Sequence, residues 1–325
     1  MDDKTLEALE QRRAMAWGGG HRDSKENRVS LDAEQRSSPG GLYAMVREKQ
    51  VPVQKAEFTS WLVRQAARLP TCTEREATAI ALTVMQMAYN GRNCQVPGMA
   101  DGLIQQLSNS AALSHAAAWA LAWMNSESML DKQAWHHSQE QLGRLVATAA
   151  KLGCDCETIF FLSWIFKTER TPQAVDALLL HLPNSPVRTR VAIVNALGAI
   201  GDSRATDTLI ERLQDIRVNE EVKATAIALG QIGDAKGIAI LTALLSDSNE
   251  NLRRTALGGL AQTCENETDR QLLSDNFQLK GSWLDPLSPI TADQIVKAAK
   301  RLNKPLREIQ QHYAALALRF GLKLA

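Results

Sequence analysis

The sequence predicts an all-α fold, in which stacked helix pairs form a right-handed α-solenoid that a C-terminal helical cap closes. Three observations point to this fold. Aromatic residues are only 5% of the chain, and alanine and leucine supply much of its apolar content, which favours packed helices over a β-sandwich. Apolar residues recur at helical spacing almost throughout from Leu42 onward. A stretch of sequence also returns after 32 residues in the second half of the chain.

The repeat is clearest in two segments. Residues 196–202 read Ala-Leu-Gly-Ala-Ile-Gly-Asp, and residues 228–234 read Ala-Leu-Gly-Gln-Ile-Gly-Asp. A divergent third copy follows within residues 252–273. In each unit we expect the second glycine to end a first helix in the left-handed conformation, and Asp202 or Asp234 to cap the second helix. Since one helix pair cannot bury its apolar face alone, neighbouring pairs must stack.

These segments resemble the short bacterial HEAT-like repeat, the kind also found in phycobilisome lyases, with Val187-Arg188 and Val222-Lys223 near the starts of first helices. The resemblance covers about residues 185–275, and it implies HEAT-type helix pairs that serve mostly for binding. It also implies an alternative function, a lyase-like HEAT protein that handles a tetrapyrrole chromophore. The C-terminal cap looks similar to segments that close HEAT arrays linked to NACHT-type NTPases. Because the chain has no Walker motif, such an ATPase would be another polypeptide.

Composition changes along the chain predict four parts. The first is polar and glycine-rich, so it cannot bury enough apolar surface to offset the entropy lost on ordering. The last begins where proline-rich sequence interrupts the repeat rhythm. We expect a disordered or weakly ordered tail at residues 1–41, divergent helical repeats at 42–184, HEAT-like repeats at 185–275 and the helical cap at 276–325.

Local signals predict where helices begin and end. Thr73 followed by Glu76 matches a capping box, and Pro97 stands where the next helix would start. In the cap, Thr291 and Pro305 are expected to start two helices, and Gly321 to end the second. Four more helices are predicted over residues 110–124, 134–152, 156–168 and 172–182.

The residue pattern argues against catalysis. The chain has six histidines but no His-Glu-x-x-His, and it contains no Gly-x-Ser-x-Gly elbow. None of its five cysteines forms a Cys-x-x-Cys, and only Cys154 and Cys156 are close, which indicates buried thiols rather than a metal site. We therefore expect no enzyme activity, no cofactor and no bound metal.

Charged residues of the repeats are the first candidates for partner binding. Asp207 and Glu211 are expected on the exposed side of a second helix, along the concave face of the solenoid. Arginines near the starts of first helices either pair with aspartates of neighbouring repeats, such as Asp202, or recognise an acidic partner. These arginines are Arg188, Arg190, Arg253 and Arg254.

A second candidate region is rich in tryptophan and histidine. Trp119 and Trp123 share one helix face, and the tryptophans of this region either pack as core or line a groove for a partner. Trp135, His136 and His137 mark the place where we expect a pocket.

The helix pair of the cap, residues 291–325, is basic, with seven lysines and arginines against two acidic residues, Asp293 and Glu308. This helix pair could form a DNA-binding helix-turn-helix, which leaves nucleic-acid binding as an alternative function. We expect a solvated basic face instead, since a proline rather than a short glycine turn joins the helices. The basic residues are Lys297, Lys300, Arg301, Lys304, Arg307, Arg319 and Lys323.

Neither the net charge nor the apolar runs of the chain favour association with a membrane or with nucleic acid. The net charge is +1, and no apolar run reaches the roughly 18 residues of a membrane span. The first residues lack the order of a secretory signal, so we expect a cytoplasmic location. The sequence thus predicts a non-catalytic protein–protein interaction scaffold or adaptor, a subunit of a bacterial multi-protein system. We expect its partner to be a protein along the concave face rather than a nucleic acid, a membrane or a small molecule.

Overall fold

The computed structural model describes residues 55–89, 94–125, 137–151, 154–215, 219–274 and 287–325. The named elements in these ranges are all helices, and the extended pairing there is an isolated bridge between Ile290 and Leu324. The predicted all-α fold is thus confirmed. Within the same ranges no helix is long and apolar enough to span a bilayer. The predicted tail, residues 1–41, lies outside the described residues.

The chain divides into two compact units, one ending at Glu169 and the other beginning at Arg170. The first unit contains six described helices in two layers. They are α1 (Lys55–Arg68), α2 (Glu74–Tyr89), α3 (Met99–Gln106), α4 (Ala111–Met124), α5 (Gln139–Ala149) and α6 (Cys156–Glu169). Helices α2, α4 and α6 pack side by side, and α3 contacts α1 and α5 in the other layer. The layers alternate along the chain, as they do in stacked helix pairs.

Capping explains where the helices of the first unit begin. The backbone N–H of Thr73 donates to Glu76 Oε2 at 3.0 Å, and the N–H of Glu76 donates to Thr73 Oγ1 at 3.3 Å, which confirms the predicted capping box. The predicted helix at 134–152 is shorter in the structure, because Ser138 caps α5 in a second capping box with Gln141. Its predicted residues 134–136 lie outside the described part of the chain.

The second unit contains the sequence repeats and the cap. Two 3₁₀ turns, Pro172–Ala174 and Ser203–Ala205, lead into the first and the third α-helix of this unit. The helices are α7 (Val175–His181), α8 (Val187–Ile200), α9 (Thr206–Asp215), α10 (Asn219–Ile232), α11 (Ala235–Leu244), α12 (Glu250–Ala261), α13 (Glu267–Ser274), α14 (Ala292–Leu302) and α15 (Leu306–Phe320).

The repeats of the second unit stack in register. Helices α8, α10 and α12 pack side by side as a first-helix layer, and α9 packs against α11 in a second-helix layer. The repeat leucines Leu197, Leu229 and Leu260 are all fully buried, as the sequence repeat predicts. Small residues bring the first helices together, since a Cβ on Gly198 would lie 2.7 Å from the Cα of Ala228.

The turn between the two helices of a repeat has the predicted chemistry. Gly201 and Gly233 have φ angles of 76° and 72°, a left-handed conformation that glycine adopts without a Cβ penalty. The Asp202 side chain accepts the N–H of Arg204 at 3.0 Å, and that of Asp234 accepts the N–H of Lys236 at 3.1 Å. Asp234 caps α11 directly, whereas Asp202 caps the 3₁₀ turn before α9.

The cap packs onto the last repeat. Helix α13 contacts both α12 and α15, and α14 contacts α15. A capping box of Thr291 with Gln294 starts α14, and Gly321 ends α15 with a φ of 67°, both as predicted. The cap is therefore continuous with the repeat stack through α13.

Candidate functional site

The exposed side of α7, α9 and α11 is the first candidate surface, and we call it the second-helix face. The predicted residues Asp207 and Glu211 both lie there, exposed and one turn apart on α9. Equivalent positions of successive repeats form rows across this face, because the repeat returns every 31 or 32 residues. One row is Asp176, Asp207 and Ala239, and the next is Leu180, Glu211 and Ala243.

Ion pairs connect neighbouring repeats along this face. Arg204 donates to Asp176 Oδ2 at 2.8 Å and to the carbonyl oxygen of Pro172 at 2.8 Å. One repeat further on, Lys236 Nζ lies 2.9 Å from Asp207 Oδ1. The hydrogen bond to Asp207 raises the pKa of Lys236, and hydrogen bonds from Arg204 lower the pKa of Asp202. Because these side chains are largely exposed, the pairs contribute little to the stability of the fold.

A buried carboxylate joins the two layers behind this face. The Glu221 side chain is completely buried, and Arg190 Nη2 and Arg212 Nη2 each lie 2.7 Å from one of its oxygens. Burial acts to raise the pKa of Glu221, but the hydrogen bonds from Arg190 and Arg212 hold it below its usual value. The cluster links α8, α9 and α10, so it fastens one repeat to the next.

Two of the predicted arginines anchor the loops that precede their own helices. Arg190 Nη1 donates to the carbonyl oxygen of Ser185 at 2.7 Å, five residues earlier. Arg253, which is 7% exposed, donates in the same way to Ser248 O at 3.0 Å, and also to Asp247 O at 2.8 Å. Both guanidinium groups are therefore engaged in holding the repeat turns.

The remaining two arginines are placed differently. Arg254 pairs with Glu250 one turn earlier on α12. Arg188 is exposed on α8, in the first-helix layer. Two of the four predicted arginines therefore anchor turns, one forms a local ion pair and one is exposed on a first helix. The structure does not gather them with Asp207 and Glu211.

The aromatic candidates lie in the first unit. Trp135 and His136 are outside the described residues, whereas His137 is 5% exposed and its backbone N–H donates to Glu169 Oε1 at 3.1 Å. Trp123 and Trp164 meet edge to face with ring centroids 6.2 Å apart, so α4 and α6 share an aromatic contact. Trp123 is half-buried and Trp164 is 36% exposed, which places these rings at the edge of the core.

Residue-by-residue reasoning missed Glu221 as a key residue of the repeats. A signal was present in the repeat register, because Glu221 stands 32 residues after Thr189, which is 1% exposed. When the equivalent position of another repeat is buried, a carboxylate at that position must have a cationic partner. Arg190, one residue after Thr189, meets that requirement from the preceding repeat.

The turn between α14 and α15 forms the second candidate surface together with the two helices it joins. Asn303 has a φ of 50°, so an asparagine takes the left-handed conformation usually supplied by glycine. The N–H of Lys304 donates to Ala299 O at 3.0 Å, and α15 begins three residues after Asn303. A tight three-residue turn, with Pro305 as its last residue, therefore joins the helices.

The chain has sequence similarity to three described families. Residues 189–215 match the PBS lyase HEAT-like repeat, and residues 217–283 match HEAT repeats. Residues 266–322 match a winged helix-turn-helix family described as wHTH-Hsp90_Na associated. Comparison with curated proteins gave no match. The HEAT and winged-helix matches overlap on α13, which packs against both α12 and α15. The second unit thus carries HEAT-like repeats in an all-α stack, followed by a segment that is similar to a winged helix-turn-helix.

Proposed function

We propose that the chain is a non-catalytic protein–protein interaction scaffold within a multi-protein assembly. HEAT repeats generally mediate protein interaction, and the families that contain them are typically non-catalytic. In this proposal a partner polypeptide crosses the second-helix face, the side that we expect to be concave. The observation that carries it is the in-register row of exposed positions across α7, α9 and α11.

The chemistry of that face defines the partner that would fit it. Leu180 is 44% exposed on α7, Glu211 is exposed on α9, and α11 presents the small residues Thr242 and Ala243. Within the described part of the chain Glu211 forms no ion pair, whereas Asp207 is already paired with Lys236. A segment with an apolar side chain against Leu180, a basic one against Glu211 and close backbone approach at Ala243 would complement the row.

Site-specific photo-cross-linking tests this proposal in cells that express the chain at its native level. A benzophenone amino acid at residue 243 should give a discrete protein adduct, and the substitution Glu211→Arg should abolish it. The matched control places the same amino acid at residue 223, where Lys223 is exposed on α10 in the first-helix layer. Circular dichroism checks that each variant remains helical.

Two outcomes would contradict the proposal. One is the lack of any protein adduct from residue 243 and from the neighbouring row position, residue 239. The other is the same set of adducts from residues 243 and 223, since that would show contact without a preferred face. If the adduct from residue 243 persists in Glu211→Arg, Glu211 is not a partner-binding residue, although the partner still binds the second-helix face.

The tetrapyrrole alternative rests on the similarity to the PBS lyase HEAT-like repeat, which covers α8 and α9. The contacts of these helices that we describe are repeat packing, the Glu221 cluster and the cross-repeat pairs. We therefore expect a flat visible spectrum after the purified protein is incubated with a bilin and desalted. A retained visible band would favour the alternative.

A further inference from the structure

The outer side of α15 carries a row of four exposed residues. They recur at intervals of four, three and four residues, so at about 100° per residue they fall within about 60° of one another around the helix. The buried residues Ile309, Tyr313 and Leu316 lie on the opposite side of the same helix. We call the exposed row the α15 seam, and its members are Arg307, Gln311, Ala314 and Leu318.

The end of the seam near the C-terminus of α15 is apolar and open to solvent. Leu318 is 90% exposed, whereas the other exposed large apolar side chains in the described ranges are 36% to 45% exposed. Burial of a leucine side chain by a partner would contribute favourably to binding. Ala314, one turn earlier, is small enough for a second helix to approach α15 closely. This end therefore suits a partner that brings apolar side chains of its own.

The other end of the seam is basic. Arg307 lies in the first turn of α15, and Lys300 lies in the last turn of α14, across the short turn that joins the helices. Within the described part of the chain neither forms an ion pair, whereas Asp293 and Glu308 are each paired with a lysine four residues away. Residues 291–325 carry a side-chain net charge of +5, from seven lysines and arginines against two acidic residues. Charge complementarity at this end therefore requires an acidic partner.

Contacts on the other sides of α15 hold the seam in place. His312 Nδ1 lies 2.7 Å from Asp269 Oδ1 on α13. Arg319 Nη2 donates to the carbonyl oxygen and to the hydroxyl oxygen of Thr263, each at 3.1 Å, in the loop between α12 and α13. Because these bonds tie α15 to the end of the repeat stack, the seam is preorganised and a partner does not have to order it.

We propose that the α15 seam binds an acidic amphipathic α-helix of a partner protein. The spacing of the seam is the one at which two helices pack along each other, and amphipathic helices dock through residues spaced in this way. At 1.5 Å per residue the seam is about 16 Å long, so about three turns of a partner helix would cover it. Apolar side chains of the partner would lie against Ala314 and Leu318, and its carboxylates would pair with Arg307 and Lys300.

Two other occupants fit the seam less well. A second copy of the chain would bring two surfaces of net positive charge together, which opposes association. A nucleic acid would meet Arg307 with its phosphates but would leave Leu318 without an apolar contact. An acidic amphipathic helix satisfies both ends. This interaction goes beyond the proposed scaffold function and does not depend on it, because α15 is not part of the second-helix face.

Fluorescence anisotropy of the full-length chain with a labelled synthetic helix tests this proposal. The probe has about three heptads, with leucine at the a and d positions and glutamate at e and g, where the repulsion between glutamates keeps the peptide monomeric. A scrambled peptide of the same composition, with its leucines dispersed around the helix, is the matched control probe. We expect the patterned peptide to bind at least about tenfold more tightly than the scrambled one at about 50 mM salt, because only the patterned peptide can bury Leu318 while its glutamates face Arg307.

Variants of the chain test the two ends of the seam separately. Leu318→Ser should weaken binding of the patterned peptide by at least about fivefold, and Leu318→Met should keep it within about twofold, because methionine restores the apolar contact. Arg307→Glu should weaken binding by at least about tenfold, since it places like charges opposite each other. Lys223→Glu, at an exposed lysine of α10, is the matched charge control and should leave binding unchanged.

Three results would overturn the proposal. The first is no anisotropy change with the patterned peptide when the protein keeps its helical circular dichroism. The second is equal affinity for the patterned and the scrambled peptide, which would show attraction to negative charge alone. The third is tighter binding of a DNA duplex that Leu318→Ser leaves unchanged, since this would assign the surface to nucleic acid rather than to a protein helix.

Discussion

A Cβ added to Gly230 would lie 1.8 Å from the carbonyl oxygen of Gly259. These glycines belong to α10 and α12, so the backbones of two first helices approach each other without an intervening side chain. The two helices are equally close at Gly259, since a Cβ added there would lie 2.4 Å from the carbonyl oxygen of Ala226 on α10. The glycine of the repeat motif is therefore a packing residue as well as part of the sequence signature.

Gly230→Ala should destabilise the second unit. The added methyl group cannot be accommodated by rotating a side chain, because the atoms it meets are backbone, so α10 and α12 must separate. We expect a loss of about 1–3 kcal/mol in the free energy of unfolding, measured by urea denaturation followed by circular dichroism.

The matched control for that substitution is Gly143→Ala in the first unit. Gly143 is exposed within α5, and a Cβ there would meet no atom within 4 Å. Alanine is the better helix former, so this variant should gain up to about 1 kcal/mol. Equal midpoints for Gly230→Ala and the unsubstituted chain would refute the close approach of α10 and α12.

Glu221→Gln should be among the most damaging single substitutions in the repeats. The change removes the charge between Arg190 and Arg212 while keeping the shape, and leaves two guanidinium groups with no counter-charge at that position. Removing one partner of a buried ion pair costs about 3–5 kcal/mol. Glu220→Gln, at the adjacent exposed residue, should change stability by less than about 0.5 kcal/mol. Thermal unfolding of both variants at neutral pH compares them, and similar melting temperatures would contradict a buried charge cluster.

The same cluster predicts a pH dependence. The pKa of Glu221 is lowered in the folded protein, so the folded state binds fewer protons there than the unfolded state does. Its stabilising contribution is thus present above the unfolded pKa of about 4.3, and it is lost as the pH falls through the folded pKa. Between about pH 5 and pH 3 the unfolding free energy should fall more steeply for Glu220→Gln than for Glu221→Gln. Parallel curves would show that Glu221 does not titrate differently on folding.

The features that the sequence predicted correctly are local ones. Gly201, Asp202 and their counterparts one repeat later have the predicted left-handed and capping roles, because each depends on bonds within a few residues. The leucine register was also predictable, since a repeated apolar stripe must be buried in the same way each time.

The specific side-chain partners between repeats were not predicted. Arg190 was expected either to pair with a neighbouring aspartate or to face an acidic partner, and its carboxylate partner is Glu221, 31 residues away on the next first helix. The pairing depends on how α8 and α10 are packed, which residue types alone do not specify. The candidate site at Asp207 and Glu211 stays a prediction, because a pattern of exposure does not identify a partner.

Cys154 should resist alkylation in the folded protein. Burial is the main cause that raises the pKa of its thiol to about 12, so at pH 8 only about one molecule in ten thousand carries the thiolate that reacts. Iodoacetamide treatment at pH 8 followed by peptide mass spectrometry should find Cys154 unmodified in the native chain and modified in urea. Rapid native labelling at Cys154 would show that this segment opens readily.

The turn before α15 gives a last prediction, which separates the helix-turn-helix geometry from an ordinary loop. Asn303→Ala should destabilise the protein by about 1 kcal/mol, because alanine pays the steric cost of a positive φ that asparagine and glycine tolerate better. Asn303→Gly should unfold at the same or a higher denaturant concentration than the unsubstituted chain. The exposed Lys300→Ala variant is the reference, since it removes a charge without touching the turn. Equal stability of the alanine and glycine variants would mean that residue 303 does not need the left-handed conformation, and the tight junction of α14 and α15 would lose its physical basis.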